Sequence, residues 1–177
     1  MTVERIFIGP AAGEPQVECE SIAVVAGSGI EGDRYFDCHD EPGRNISLIE
    51  AEEIEAFMRE RGGLNELSAT RRHLVTRGIR LNDLVGKEFF VGEVKLRGVE
   101  LCEPCLGLGS ALASPELPAA AVVKRLMHRA GLRADVLTSG VIARGAQLTL
   151  LSARAVASAG LPCPPGEASR HADGRAR

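Results

Sequence analysis

The chain contains no tryptophan, a single tyrosine (Tyr35) and five phenylalanines, so aromatics make up only 3% of its 177 residues. That scarcity argues against a platform of rings for stacking single-stranded nucleic acid. A net charge of −3 and a pI near 5.9 remove the general basic field that phosphate-backbone binding requires. Lysine is scarce as well: Lys87, Lys95 and Lys124 stand beside 18 arginines, so a Schiff-base mechanism has few amines to draw on. No apolar run approaches the roughly 18 residues that span a bilayer. The first residues, Met1 to Ile6, carry no basic stretch followed by an apolar core, which is the mark of a secretory leader. These features predict a cytoplasmic protein with no nucleic-acid and no membrane partner. In a reducing compartment the five cysteines are read as reactive, metal-binding or core thiols rather than disulfide staples.

Glycine, by contrast, is plentiful at 20 residues and punctuates a series of short apolar segments. Val3–Ile8, Gln16–Ala26, Asn45–Ile49, His73–Thr76, Asp135–Thr138, Val141–Ala143 and Gln147–Leu151 read as strands, and Glu88–Val91 with Val94–Leu101 as a hairpin turning at Gly92. Glu50–Arg61 places Ile54, Phe57 and Met58 at helical spacing and ends at Gly62-Gly63. Leu81–Val85 reads as a helical turn, Pro104–Leu112 as a short helix and Pro118–Ala130 as a longer one. Many short strands with two or three inserted helices do not alternate as a doubly wound fold does. The expectation is a mainly β domain, an antiparallel β-barrel with helical decorations, over residues 1–155. Residues 156–177 lack periodicity and read as a disordered tail.

Two features carry chemistry. Arg71, Arg72, Arg77 and Arg80 lie within ten residues, and Cys102-Glu103-Pro104-Cys105 follows about thirty residues later. Arginine grips phosphate and other oxyanions in bidentate fashion, and fixed positive charge favours thiolate over thiol. If Arg71–His73 is extended, Arg71 and His73 share one face and Arg72 the other. A solvated loop is the competing reading for any one of these arginines. The cysteine pair has three competing readings. Half a zinc site lacks a second Cys pair and would need His39, His73 or His128. A dithiol redox centre should follow the first strand of a βαβ unit, not a hairpin a hundred residues in. Plain buried thiols are the third, and that reading suits Cys19, Cys38 and Cys163. Gly29–Arg34 is a glycine-rich turn that either aims backbone N–H groups or Asp33 at a ligand, or is simply a tight turn.

In order, Gly32-Asp33-Arg34, Asn45–Glu50, Arg72–Gly78, Leu84–Glu93 and Pro104–Leu108 resemble successive blocks of the MOSC family, named for the C-terminal domain of molybdenum cofactor sulfurase. Gly131–Leu137 and Gly140–Ile142 resemble its closing strands. The resemblance spans about residues 3–152 and implies a short, stand-alone member with the family's β-barrel. It implies molybdenum cofactor as the bound group, with Cys105 as the cysteine that meets molybdenum or holds sulfur as a persulfide. Arg71, Arg72 and Arg77 would take the cofactor's anionic end, and Asp33, Arg34, Arg44, His73, Thr76 and Cys102 would complete the binding set. Tyr35 stands where many members have histidine, and Ala146 where an aspartate often follows the last glycine.

Three functions follow as expectations. The first is sulfur carriage for metal–sulfur cofactor maturation, with a cysteine desulfurase-type protein as donor; pyridoxal phosphate would then sit on that partner rather than here. A variant of it is molybdenum-dependent reduction of N-hydroxylated compounds such as hydroxylated purine bases, which needs an electron-donor protein. The second is a non-catalytic cofactor-binding module, and the third a dithiol oxidoreductase using Cys102 and Cys105.

Overall fold

The computed structural model describes residues 1–38, 42–61 and 67–151. The expected domain boundary at 155, the tail with Cys163, and His39 lie outside the described residues. Among the described residues eleven strands run in chain order: β1 Thr2–Ile8, β2 Val17–Cys19, β3 Ser21–Val25, β4 Gly29–Ile30, β5 Ile46–Glu50, β6 Leu74–Arg77, β7 Glu88–Val91, β8 Val94–Leu101, β9 Leu132–Val136, β10 Gly140–Ala143 and β11 Leu148–Leu150. Three α-helices accompany them: α1 Ala51–Arg61, α2 Leu106–Leu112 and α3 Ala119–Leu126. Short 3₁₀ turns fill Leu67–Thr70 and Leu81–Leu84. None of the described helices is long and apolar enough to cross a membrane.

Eight strands form one curled sheet in the order β11-β7-β8-β9-β5-β6-β1-β2. Its β11 end closes back onto β1. The Val3 N–H donates to Ala146 O (2.9 Å), the Gly145 N–H to Val3 O (2.8 Å) and the Leu148 N–H to Met1 O (3.0 Å). A second sheet, β10-β3-β4, covers one side. The fold is therefore mainly β and barrel-like, as expected.

Side-chain alternation builds two cores from the same strands. Ile6, Leu48 and Leu74 point into the barrel, where they meet Ile22, Val24, Ile30 and Ile142 of the small sheet. Their neighbours Phe7, Ile49 and Val75 point outward against Ile54, Phe57 and Met58 of α1, Leu108 and Leu112 of α2, and Val122 and Leu126 of α3. Strands covered on both faces read as continuous apolar runs, which is why β1, β5 and β6 stand out in the sequence.

The structure corrects four details. The segment 16–26 is not one strand: it breaks at Glu20, with β2 joining the large sheet and β3 the small one. The barrel is not wholly antiparallel, because β5 and β6 pair in parallel (Leu48 opposite Leu74) with α1 in the connection between them. The third helix ends at Leu126 rather than Ala130, since Met127 turns to an extended ψ of 128° and His128 follows with a left-handed φ of 60°. Strand β9 starts at Leu132 rather than Asp135, directly after Gly131. Gly131 has φ +108°, and a Cβ there would lie 2.0 Å from Leu48 O, so only glycine lets this chain pass so close to β5.

Candidate functional site

One end of the barrel gathers the starts of β5, β6 and β9 with the end of β8. Here a cavity of about 320 Å³ is lined by Arg34, Tyr35, Gly43, Arg44, Ser47, Thr70, Arg71, Arg72, His73, Cys102, Cys105, Gly107, Leu108 and Arg133. Five guanidinium groups and two thiols therefore share one opening in a protein whose net charge is negative.

Cys105 is exposed and occupies the N-cap position of α2, with no capping hydrogen bond from its side chain. The nearby backbone N–H groups of Leu108 and, more weakly, Gly107 hold the thiol below its ordinary pKa. Partial burial opposes them, and the Arg72 charge adds to them. Negative charge at a helix start is favoured by the unpaired N–H groups there. Cys102, at the end of β8, is half-buried and behaves oppositely: burial pushes its thiol up, against the pull of Arg72 and Arg133. Its N–H donates to Gly131 O at 2.8 Å. Between the two cysteines, Glu103 accepts from the His128 N–H (3.1 Å) and contacts His128 Nδ1 (2.7 Å). The short loop is thus pinned at its base and at its midpoint.

Arg71 and Arg72 both reach the cavity wall. The alternation expected of an extended segment does not apply, because Arg71 has a left-handed φ of 57° and β6 begins only at Leu74. Arg71 Nη1 donates to Glu14 O (3.1 Å); Arg72 donates to Ala130 O (2.9 Å) and Thr70 O (3.2 Å). Among the described residues neither pairs with a carboxylate. Backbone carbonyls fix their direction, and no described carboxylate compensates their charge. Tyr35 forms a further part of the wall, with Arg34 and Arg44 over its ring at 4.5 and 5.2 Å, cation–π distances.

Ser47 and His73 in the wall lead back to Asp33 through a polar relay. The Ser47 N–H donates to His73 Nδ1 at 3.1 Å, and Ser47 Oγ lies 3.2 Å from the same nitrogen. Nδ1 is therefore the acceptor, and Nε2 carries the proton toward Asp33 Oδ2 at 3.3 Å. Asp33 also accepts from the N–H groups of Gly9 (2.7 Å) and Tyr35 (2.9 Å). Burial alone would raise its pKa, but the His73 contact and these two N–H groups outweigh burial and hold it at about 2. Asp33 thus positions His73 and the Tyr35 loop without lining the cavity itself.

Of the residues singled out in the sequence, the cavity brings together Cys102, Cys105, Arg34, Arg44, Arg71, Arg72 and His73, with Asp33 directly behind. It does not bring in Thr76 or Arg77. Thr76 is fully buried and its hydroxyl donates to Ile49 O at 3.2 Å. Arg77 pairs with Glu4 and Glu55. At about 3.3 Å per strand residue, both lie roughly 10 Å along β6 from the mouth. Ser47, Thr70 and Arg133 were not singled out by the sequence, and Tyr35 stood out there only as a departure from the family pattern. No group of three or more His, Cys, Asp or Glu able to hold a metal ion occurs among the described residues, so the zinc reading has no support in their geometry.

A model of the MOSC domain matches residues 36–149, about two thirds of the chain, and the chain belongs to the MOSC domain family. Solved structures of the same fold include the YuaD protein from Bacillus subtilis, at 19% identity and TM-score 0.71, covering 83% of this chain and 93% of that one. YiiM from Geobacillus stearothermophilus aligns at 18% identity and TM-score 0.64, over 85% of this chain and 75% of its own. YiiM from Escherichia coli aligns at 22% and 0.61, over 86% and 70%. No curated protein matches the chain. At these identities the structural likeness concerns the fold alone.

Proposed function

We propose that this MOSC domain binds molybdenum cofactor at the barrel mouth and handles sulfur on Cys105. The observation that carries the reading is an exposed thiol of lowered pKa opening into the same cavity as Arg71 and Arg72, two arginines without carboxylate partners among the described residues. The donor set fits such a ligand. A thiolate is a soft ligand suited to molybdenum or to a sulfane sulfur, and guanidinium forks suit a phosphate. Arg71 and Arg72 would hold the anionic end and Cys105 the metal end. When bound, the cofactor supplies a redox-active metal centre with soft sulfur ligation.

In sulfur carriage, the Cys105 thiolate attacks the outer sulfur of a donor persulfide. A new S–S bond forms on Cys105, the donor's own S–S bond breaks, and the donor cysteine leaves as thiolate. The transfer is redox-neutral and needs a donor of the cysteine desulfurase class. None of the three lysines lines the cavity, and pyridoxal phosphate is assigned in this reading to the donor.

The reductase variant draws support from the Ser47–His73–Asp33 relay. Reduction of an N-hydroxyl to an amine takes up two electrons and two protons and releases water. A hydroxyl at the cavity wall backed by a buried His–Asp pair is suited to deliver protons.

The deciding experiment measures molybdenum and pterin in wild type and Cys105→Ser purified from a host that makes the cofactor. Stoichiometric metal in the wild type, lost in the variant with the fold intact, is expected. Absence of metal and pterin from both, with no transfer of sulfur from a persulfide donor to Cys105, would overturn the proposal. Turnover of an N-hydroxylated base with a supplied electron donor separates the reductase variant from sulfur carriage.

A further inference from the structure

We infer that Cys102 is a resolving thiol for Cys105: it attacks a sulfane sulfur adduct on Cys105, releases inorganic sulfide into the cavity and leaves a Cys102–Cys105 disulfide. The inference rests on the reading that Cys105 accepts sulfane sulfur, and it specifies how that sulfur leaves.

The arrangement is asymmetric in the way such a pair requires. Both cysteines line one cavity, with two residues between them. Cys105 is the exposed member, at the helix start, where an incoming persulfide can reach it. Cys102 is the sheltered member, at the end of a barrel strand, with its N–H bonded to Gly131 O and the loop's Glu103 held by His128. The Arg72 charge acts on both sulfurs, and Cys102 lies within the electrostatic reach of Cys105. Burial keeps Cys102 protonated at rest, so it does not crowd the Cys105 thiolate with a second negative charge. An accessible, acidified thiol beside a second cysteine is the arrangement that resolves oxidised or sulfurated thiols to disulfides. Among the described residues Cys19 and Cys38 do not line this cavity.

The step balances without an outside oxidant. Cys102 sulfur bonds to the inner sulfur of Cys105–S–SH, the sulfane S–S bond breaks, and HS⁻ departs with the bonding pair. The proton lost by Cys102 converts HS⁻ to H₂S. The disulfide is returned to two thiols by two electrons and two protons from a cellular dithiol reductant.

The test uses the full chain, reduced, freed of small thiols and kept anaerobic, with glutathione persulfide as the probe. Intact mass, peptide mapping and released sulfide are read together. Wild type is expected to give one sulfide per Cys102–Cys105 disulfide and to retain no added sulfur. Cys102→Ser and Cys102→Ala are expected to keep one added sulfur atom on Cys105, with sulfide release at least about tenfold slower, the loss of an intramolecular advantage. A wild type that retains the added sulfur as long as the variants do, with no disulfide, would overturn the resolving role and leave sulfur carriage intact. Failure of both Cys102 variants to take up sulfur at Cys105 would remove the sulfur-carriage reading and this inference with it. A disulfide formed without sulfide would likewise overturn the step.

Discussion

Two arginine sets lie within ten residues of each other and do opposite things. Arg71 and Arg72 are held by backbone carbonyls and turn their charge into the cavity. Arg77 and Arg80 meet Glu4, Glu50, Glu53 and Glu55 on the helix side of the barrel, where Arg129 also binds Glu53 (2.5 Å). In the second set the carboxylates of α1 and its neighbours neutralise the charge and tie strand to helix. Position in the sequence does not distinguish a ligand-binding arginine from a structural one. The distinction lies in whether an acidic side chain arrives from another element.

The largest test of that contrast removes the uncompensated pair. Arg71→Ala with Arg72→Ala should weaken binding of an oxyanion probe such as inorganic phosphate by at least about 100-fold, if each charged hydrogen-bonding group contributes roughly 1.5–3 kcal/mol. Titration calorimetry at fixed low salt reads it. The same variant should slow alkylation of Cys105 by iodoacetamide near neutral pH, because Arg72 helps hold that thiol's pKa down. Arg72→Lys should restore the alkylation rate better than the phosphate affinity, since a point charge replaces the bidentate fork. Unchanged phosphate affinity in the double variant would break the contrast.

A medium effect is expected behind the cavity. Asp33 accepts from Gly9, Tyr35 and His73. In Asp33→Asn the amide oxygen can keep the Gly9 and His73 contacts, but its NH₂ then faces the Tyr35 N–H, donor against donor. The loss should be about 1–3 kcal/mol at neutral pH, read by urea denaturation. The sign with pH follows from the lowered pKa. The folded state binds the Asp33 proton only near pH 2, against 3.8 for the ordinary group. Its contribution of about 2 kcal/mol is complete above the ordinary value and fades as pH falls through the lowered one. Wild type and variant should therefore converge in stability as pH drops from about 4 to about 2. A constant gap across that window would assign the relay a purely steric role.

The sequence made some of this readable and concealed the rest for physical reasons. The short apolar runs of β1, β5 and β6 and the Gly92 hairpin are local signals, and they emerge in the fold. The Cys105 loop and Arg71-Arg72 stood out because their residue types imply chemistry wherever they fold. Ser47 and Arg133 are ordinary strand residues until β5, β6 and β9 are laid side by side, so only the sheet order brings them to His73 and Cys102. The parallel pairing of β5 with β6 was hidden because α1 looks like any helix between two strands. Thr76 and Arg77 were drawn toward the site by sharing a block with His73, but a strand carries its residues away from the mouth at a fixed rise.

The smallest effect is predicted where the charge looks most elaborate. Arg77 hydrogen-bonds Glu4 and Glu55, which raise its pKa and lower that of Glu55. Yet the Arg77 side chain is 37% exposed and its partners 31% and 32%, so water and salt screen much of the attraction. Arg77→Met keeps the aliphatic stem over the sheet and removes the charge. It should cost only about 0.5–1 kcal/mol in low salt, and the cost should shrink toward zero in high salt. Phosphate affinity and Cys105 alkylation should stay at wild-type values, because Arg77 lies outside the cavity lining. If Arg77→Met instead lowered phosphate affinity as far as Arg72→Ala does, carboxylate pairing would not be what separates the two sets, and the anion would have to bind along β6 rather than at its mouth.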